Sequence, residues 1–274
     1  MSNPLQQYFR RPAFYYKLPS GTNYYDPSIV EVSPTGEVAI YPMTNADEIV
    51  LRTPDALFNG TAIVQVIENC VPAVKDAWKL SELDSDALIV AVRAASVDGK
   101  LDIESTCPKC EESTKFDVDL MKLLMEKQRK LDYSEVLTIG DLEFKFRPLT
   151  YAEVNANAMR QFEVQRMIAQ LEQMEDSEQK QQLSKDSMNK LTAMLIEVVA
   201  QTIEYIKTPE VTVRENAYII EFMEKCDTKT NTAIKEFSGK IRNSNSDTPL
   251  DIKCSHCSNE YSQPLELNYT NFFG

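Results

Sequence analysis

Four cysteines carry the clearest chemical signal in this chain: Cys107-Pro-Lys-Cys110 and Cys254-Ser-His-Cys257. Two residues between two thiols let one tight turn offer both sulfurs to one metal ion, and four sulfurs complete a tetrahedral zinc site. The two turns also share a downstream pattern. Eight, ten and thirteen positions after the first Cys stand Lys115, Asp117 and Leu120 in one copy, and Ser262, Pro264 and Leu267 in the other. Val118 then aligns with Leu265 and Leu120 with Leu267, the alternating apolar step of a short strand. The expectation is a structural Zn²⁺ held by Cys107, Cys110, Cys254 and Cys257, in a rubredoxin-like zinc ribbon built from two knuckles. Two other readings stand beside it: four unrelated cysteines, or iron on the same four thiolates. Residues 111–253, about half of the chain, separate the pairs. A shared metal would therefore fasten the C-terminal segment to the middle of the chain.

The remaining candidates point away from catalysis. Cys70 and Cys226 sit in apolar helical stripes, where a free Cys is a small buried residue. His256 is the only His, and its place between the two Cys of one turn directs it away from a metal they share. A full set of four thiolates closes the open position that catalytic zinc needs. A Ser or Cys nucleophile needs a positioned base, and a Gly-rich phosphate loop is missing among the seven Gly. The chain reads as a non-enzyme.

Composition bounds the class. At 274 residues, 43% hydrophobic and 26% charged, the chain can bury a core and is ordinary for a soluble protein. No apolar run approaches the ~20 residues of a membrane helix. Residues 1–7 lack the basic and apolar regions of a signal peptide, so a reducing, intracellular setting is expected, where cysteines bind metal rather than pair. The net charge of −13 disfavours a nucleic-acid surface. Around the cysteines the balance is also acidic: six acidic against two basic residues from Leu101 to Asp119, four against one from Asp247 to Leu267. One Zn²⁺ on four thiolates leaves the site itself negative.

The elements that would position the cysteines follow from punctuation and period. Residues 1–37, with seven Tyr or Phe in the first 25 and balanced charge, read as an extended aromatic and Arg arm for a neighbouring subunit, against the alternative of a disordered terminus. Residues 38–104 form a helical unit: a short strand at Glu37-Val-Ala-Ile-Tyr, helices begun by Thr44 and by Thr53-Pro54, a stop at Asn59-Gly60, and a stripe of Ala62, Ile63, Val66, Ile67 and Cys70. Asp84 is expected to cap the next helix, with Leu88, Ile89, Val92 and Ala95 on one face, and Asp98-Gly99 to turn into the first knuckle. Residues 105–120 plus 248–274 make the ribbon. Residues 121–247 are inserted between the knuckles. They hold a short basic helix from Met121 to Leu131, a hairpin around Gly140-Asp141 and a long helix from Thr150 to about Leu171. A polar connection at 172–185 leads to a partner helix marked by Met188, Leu191, Leu195, Val198, Thr202 and Tyr205. Two shorter helices, near 215–226 and 231–242, and a flexible link at 243–247 complete the insert. The fold class is mostly α with small β-ribbons, α+β.

Residues 38–110 resemble a known pattern. Ile40-Tyr-Pro-Met-Thr-Asn-Ala-Asp-Glu, Leu51-Arg-Thr-Pro-Asp-Ala-Leu-Phe-Asn-Gly, Val66-Ile-Glu-Asn-Cys-Val and Cys107-Pro-Lys-Cys resemble the baseplate hub protein family of T-even-like contractile-tailed bacteriophages. Glu111 departs from such knuckles, which often place Gly after the second Cys. The resemblance implies a viral structural or virion-assembly protein of the central hub of the tail baseplate, bound to other tail proteins such as hub or tape-measure components. Some members are thought to act as assembly chaperones, and no catalytic residues come with the family. The implied place is the host cytoplasm during assembly, and the virion tail baseplate for a member that stays in the particle. The competing reading is a zinc-ribbon adaptor of transcription acting through protein contacts.

Overall fold

The computed structural model describes residues 5, 9–97, 100–128, 132–172, 178–245 and 249–263. The chain forms two compact units, residues 1–131 with 247–274 and residues 132–246.

In the first unit, β1 (Phe14–Lys17) pairs antiparallel with β2 (Glu37–Ile40), placing Tyr16 opposite Val38. Helix α1 (Asn45–Leu51) starts in a capping box. The Thr44 hydroxyl accepts the Asp47 N–H, and the Asp47 carboxylate accepts the Thr44 N–H at 2.7 Å. Pro54 opens α2 (Pro54–Phe58), and left-handed Gly60 (φ 78°) turns the chain into α3 (Thr61–Cys70). The stripe Ala62, Ile63, Val66, Ile67 and Cys70 is fully buried. Helix α4 (Glu82–Ser96) is sealed on all sides from Ala87 to Val92, because α3 and the segments around it leave no solvent face. Next come β3 (Lys100–Thr106), β4 (Ser113–Asp119) and α5 (Leu120–Lys127), whose first N–H groups bond the Asp119 carboxylate.

Two expectations change here. Residues 9–37 are packed on their own unit rather than extended. Tyr16, Leu18 and Val30 are buried, and Arg10 donates to the carbonyls of Pro42 and Asn69 at 2.8 Å each. Its guanidinium also lies 3.6 Å from the buried carboxylate of Asp47. Tyr16 and Tyr25 thus tie the segment to its own unit while Phe9, Tyr15 and Tyr24 stay exposed, a division that composition alone does not give. The cap of α4 is Ser81, which accepts the Asp84 N–H at 3.2 Å. Asp84 lies inside the helix and is fully buried, accepting the Ser20 N–H, the Ser81 hydroxyl and the Tyr25 hydroxyl. A buried carboxylate requires such donors, and two of the three come from the N-terminal segment.

The second unit begins with β5 (Val136–Ile139) and β6 (Leu142–Phe146), joined by Gly140-Asp141 with Gly140 at φ 58°. Helices α6 (Tyr151–Glu172) and α7 (Glu178–Gln201) come next, so residues 178–185, expected as a connection, are helical. Asn157 bonds Gln201 at 2.8 Å and Arg160 pairs with Glu197, which makes the two helices antiparallel. Thr202 and Tyr205 are not helical. β7 (Ile203–Lys207) lies between β6 and the short β8 (Thr212–Val213) in one antiparallel sheet of order β5-β6-β7-β8. Ile203 pairs with Phe146 but Tyr205 with Lys145, so a bulge breaks the alternation. The buried positions become Ile203 and Ile206, three apart, a spacing that imitates a helix.

Helices α8 (Asn216–Lys225) and α9 (Thr228–Asn245) cover the sheet, with Ile219, Met223, Ile234 and Ile241 against Phe144, Phe146, Ile203 and Ile206. The helical end of α9 includes residues 243–245, expected as part of a flexible link. Asn245 bonds both the N–H and the C=O of Asp132, at 2.9 and 3.0 Å, pinning the two ends of this unit together. The chain then returns to the first unit as the hairpin β9 (Leu250–Lys253) and β10 (Glu260–Gln263). The expected turn at Asp98-Gly99 and the aligned Leu265 and Leu267 lie outside the described residues.

Candidate metal centre

Each Cys-x-x-Cys turn sits at the tip of an antiparallel hairpin, β3–β4 for the first and β9–β10 for the second. The two tips have the same backbone. The N–H of Cys107 donates to Glu112 O at 3.0 Å, and that of Cys254 to Asn259 O at 2.9 Å. The N–H of Glu111 donates to Cys107 O at 2.9 Å, and that of Ser258 to Cys254 O at 3.0 Å. Glu111 (φ 59°) and Ser258 (φ 56°) occupy the same left-handed position. The knuckle therefore forms without the Gly that usually takes this position, at the cost of strain in each copy.

The hairpins bring all four sulfurs within 4.8 Å of one another. Cys107 Sγ lies 3.7 Å from Cys257 Sγ, and Cys110 Sγ 3.6 Å from Cys254 Sγ. Exchanging the two knuckles maps one of these pairs onto the other, so the site has an approximate two-fold axis. All four cysteines are free, and these separations far exceed the ~2.05 Å of a disulfide. Sulfurs about 2.3 Å from a tetrahedral zinc would stand ~3.8 Å apart. The donor set and its spacing fit a four-coordinate metal.

Ionisation supports the same fit. Burial opposes ionisation of Cys107, but N–H groups of Lys109 and Cys110 and the neighbouring Cys257 thiol bring it down to about 6. At Cys110 the Glu112 N–H favours the thiolate, yet burial and the three surrounding sulfurs push it up to about 12. Four sulfurs this close cannot all carry charge without a cation among them.

Contacts that the spacing of cysteines does not announce also tie the tips together. The buried hydroxyl of Ser105 bonds Tyr261 at 2.7 Å and also the side-chain carbonyl of Gln263. Thr114 and Ser255 hydroxyls meet at 3.3 Å, and the Asn259 amide points at Cys107 Sγ from 3.9 Å. Polar residues at strand positions were the only hint, and many others in the chain look the same. His256 is exposed on its turn and stands apart from the sulfur group. Cys70 is buried beside Asp47, and burial with that neighbouring charge raises it to about 11. Cys226, expected to be buried, is only half-buried at the end of α8, its thiol 3.6 Å from Met223 O. Among the described residues no helix is long and apolar enough to cross a membrane.

A family model described as T4 bacteriophage base plate protein matches residues 17–274. No curated protein matches the chain, and no solved structure does. The matched span includes both cysteine turns and the whole second unit, well beyond the residues 38–110 that first suggested the relationship. Nothing in the match favours a transcription adaptor. The chain belongs to the T4 bacteriophage base plate protein family.

Proposed function

We propose that the protein is a non-catalytic component or assembly factor of the central hub of the tail baseplate, with a structural Zn²⁺ held by Cys107, Cys110, Cys254 and Cys257. Membership of the baseplate family carries the functional part of this reading and makes other phage tail proteins its partners. Within that set we favour a hub or tape-measure component. The four converging sulfurs carry the metal part. A closed set of thiolates leaves no coordination position for substrate, so the zinc would stabilise rather than react. Its role would be to hold β9–β10 against β3–β4. The protein would act in the host cytoplasm during assembly and associate with the virion tail.

Metal analysis and co-expression test the two parts separately. One zinc per chain, lost on Cys254→Ser, is expected; full retention by that variant would sink the four-ligand assignment. Co-expression with individual tail proteins is expected to give a stable complex with a hub or tape-measure component. Failure with every tail protein would overturn the assembly role while leaving the metal site standing. Deleting residues 1–37 is not a useful probe, because Tyr16, Leu18, Val30 and Tyr25 belong to the fold of the first unit.

A further inference from the structure

The two knuckles of the metal centre differ at one matched position. Asn259 closes the second knuckle with its backbone, whose carbonyl accepts the Cys254 N–H at 2.9 Å. Glu112 closes the first in the same way, accepting the Cys107 N–H at 3.0 Å. The approximate two-fold axis therefore pairs Asn259 with Glu112, and their side chains diverge in chemistry. The half-buried Asn259 amide donates toward Cys107 Sγ of the opposite knuckle from 3.9 Å, within reach of a large sulfur acceptor. Glu112 is exposed, and an ionised carboxylate has no proton to give. Cys107 thus receives a side-chain N–H across the junction of the hairpins, from a residue whose backbone belongs to the other one.

That donor stands where negative charge accumulates. Four thiolates around one Zn²⁺ leave a net negative charge, and Leu101 to Asp119 carries six acidic residues against two basic. An N–H aimed at a sulfur disperses this charge and fixes which lone pair faces the metal, the role that outer partners play at metal sites. The other ties between the tips, Thr114 with Ser255 and Ser105 with Tyr261, join hydroxyls to one another rather than to sulfur. We propose that Asn259 is a positioning residue of the metal centre, its side-chain amide orienting the Cys107 thiolate and stabilising its charge from the opposite knuckle. The proposal rests on the four-thiolate reading of the site.

The test titrates the metal-free full chain with Co²⁺, a coloured stand-in for zinc, against a competing chelator and follows the thiolate-to-cobalt charge-transfer band. Asn259→Leu, similar in size but without the amide, is expected to bind Co²⁺ about tenfold more weakly than wild type. Its band should also move to longer wavelength, because a thiolate that loses a hydrogen bond releases its electron more readily. Asn259→Gln keeps a donor and should recover most of the affinity and the original band. Thr114→Val breaks a tie between the tips without removing a donor to sulfur, so its band should stay in place. Asn259→Asp, of the same shape as Asn, should bind more weakly than wild type, its carboxylate repelling the thiolate. Asn259→Leu binding as tightly as wild type, weaker binding with the band unmoved, or a Gln variant as weak as the Leu variant would overturn the proposal. If Asn259→Leu loses its circular dichroism, Asn259→Asp decides: affinity and band equal to wild type overturn the proposal. A wild-type chain that takes up no Co²⁺ would overturn the four-ligand reading, and the role of Asn259 with it.

Discussion

The two units bury their sequence in different ways. In the first, apolar side chains of α3 and α4 are sealed, buried Asp47 and Asp84 are met by donors from several segments, and the knuckles converge on one point. In the second, a sheet covered by α8 and α9 is well packed, but α6 and α7 extend from it with Val164 and Ser187 as the only buried side chains between residues 161 and 191 among those described. Leu183, Met188 and Leu195 face water there. The contrast lies in what is buried and not in what is exposed, since large apolar side chains face water in both units, among them Ile49 and Met125 in the first. Buried carboxylates with several donors hold the first unit together, and apolar packing on a sheet holds the second.

The largest effect should separate the metal from the rest. Structural zinc contributes on the order of 10 kcal/mol in small zinc domains. Chelation or Cys257→Ser should therefore expose β9–β10 and the tip of β3–β4 to hydrogen exchange, while α3 and α8 stay protected. Uniform loss of protection across both units would break the contrast. Next come the cores. Leu88→Ala should cost about 2–5 kcal/mol and Phe144→Ala about 3–5 kcal/mol, each read as lost protection in its own unit. Met188→Ser, at an exposed position of α7, should stay within about 0.5 kcal/mol.

Two buried carboxylates give opposite pH responses. Burial opposes ionisation of Asp47, but bonds from Thr44 and Asn69 and the charge of Arg10 hold it below the usual carboxylate range. Its stabilisation is present above the unfolded value of 3.8 and is lost as pH falls through its lowered folded value. Burial instead raises Asp84, against the bonds from Tyr25, Ser20 and Ser81. Its contribution is full below 3.8 and is lost as pH rises through its raised folded value. Asp47→Asn should thus cost more at neutral pH than in acid, and Asp84→Asn the reverse, in denaturant titrations at both pH values. A small effect of opposite sign is expected at the knuckles. Glu111→Gly and Ser258→Gly should each stabilise by up to about 1 kcal/mol by relieving the left-handed strain. An equal loss in both would show that the side chains at these turns are needed.

The sequence alone determined the local elements and their punctuation. Thr44, Pro54, Gly60 and Gly140 act on neighbours within a few residues, so their roles are legible without the fold. The paired Cys-x-x-Cys turns were legible for the same reason, and each forms inside one hairpin. What only the tertiary structure decided was every question of partner across long separations. The tyrosines of residues 9–37 look alike in sequence; packing turned Tyr16 into the core and closed Tyr25 on Asp84, and left Tyr15 and Tyr24 exposed. Thr202 and Tyr205 continue the three- and four-residue steps of α7 in the sequence, and only the pairing of β7 with β6 shows that the helix has ended at Gln201. The convergence of the four sulfurs is likewise tertiary. Spacing announces two pairs of ligands, and only the return of the chain after the inserted unit brings Cys254 and Cys257 to Cys110 and Cys107.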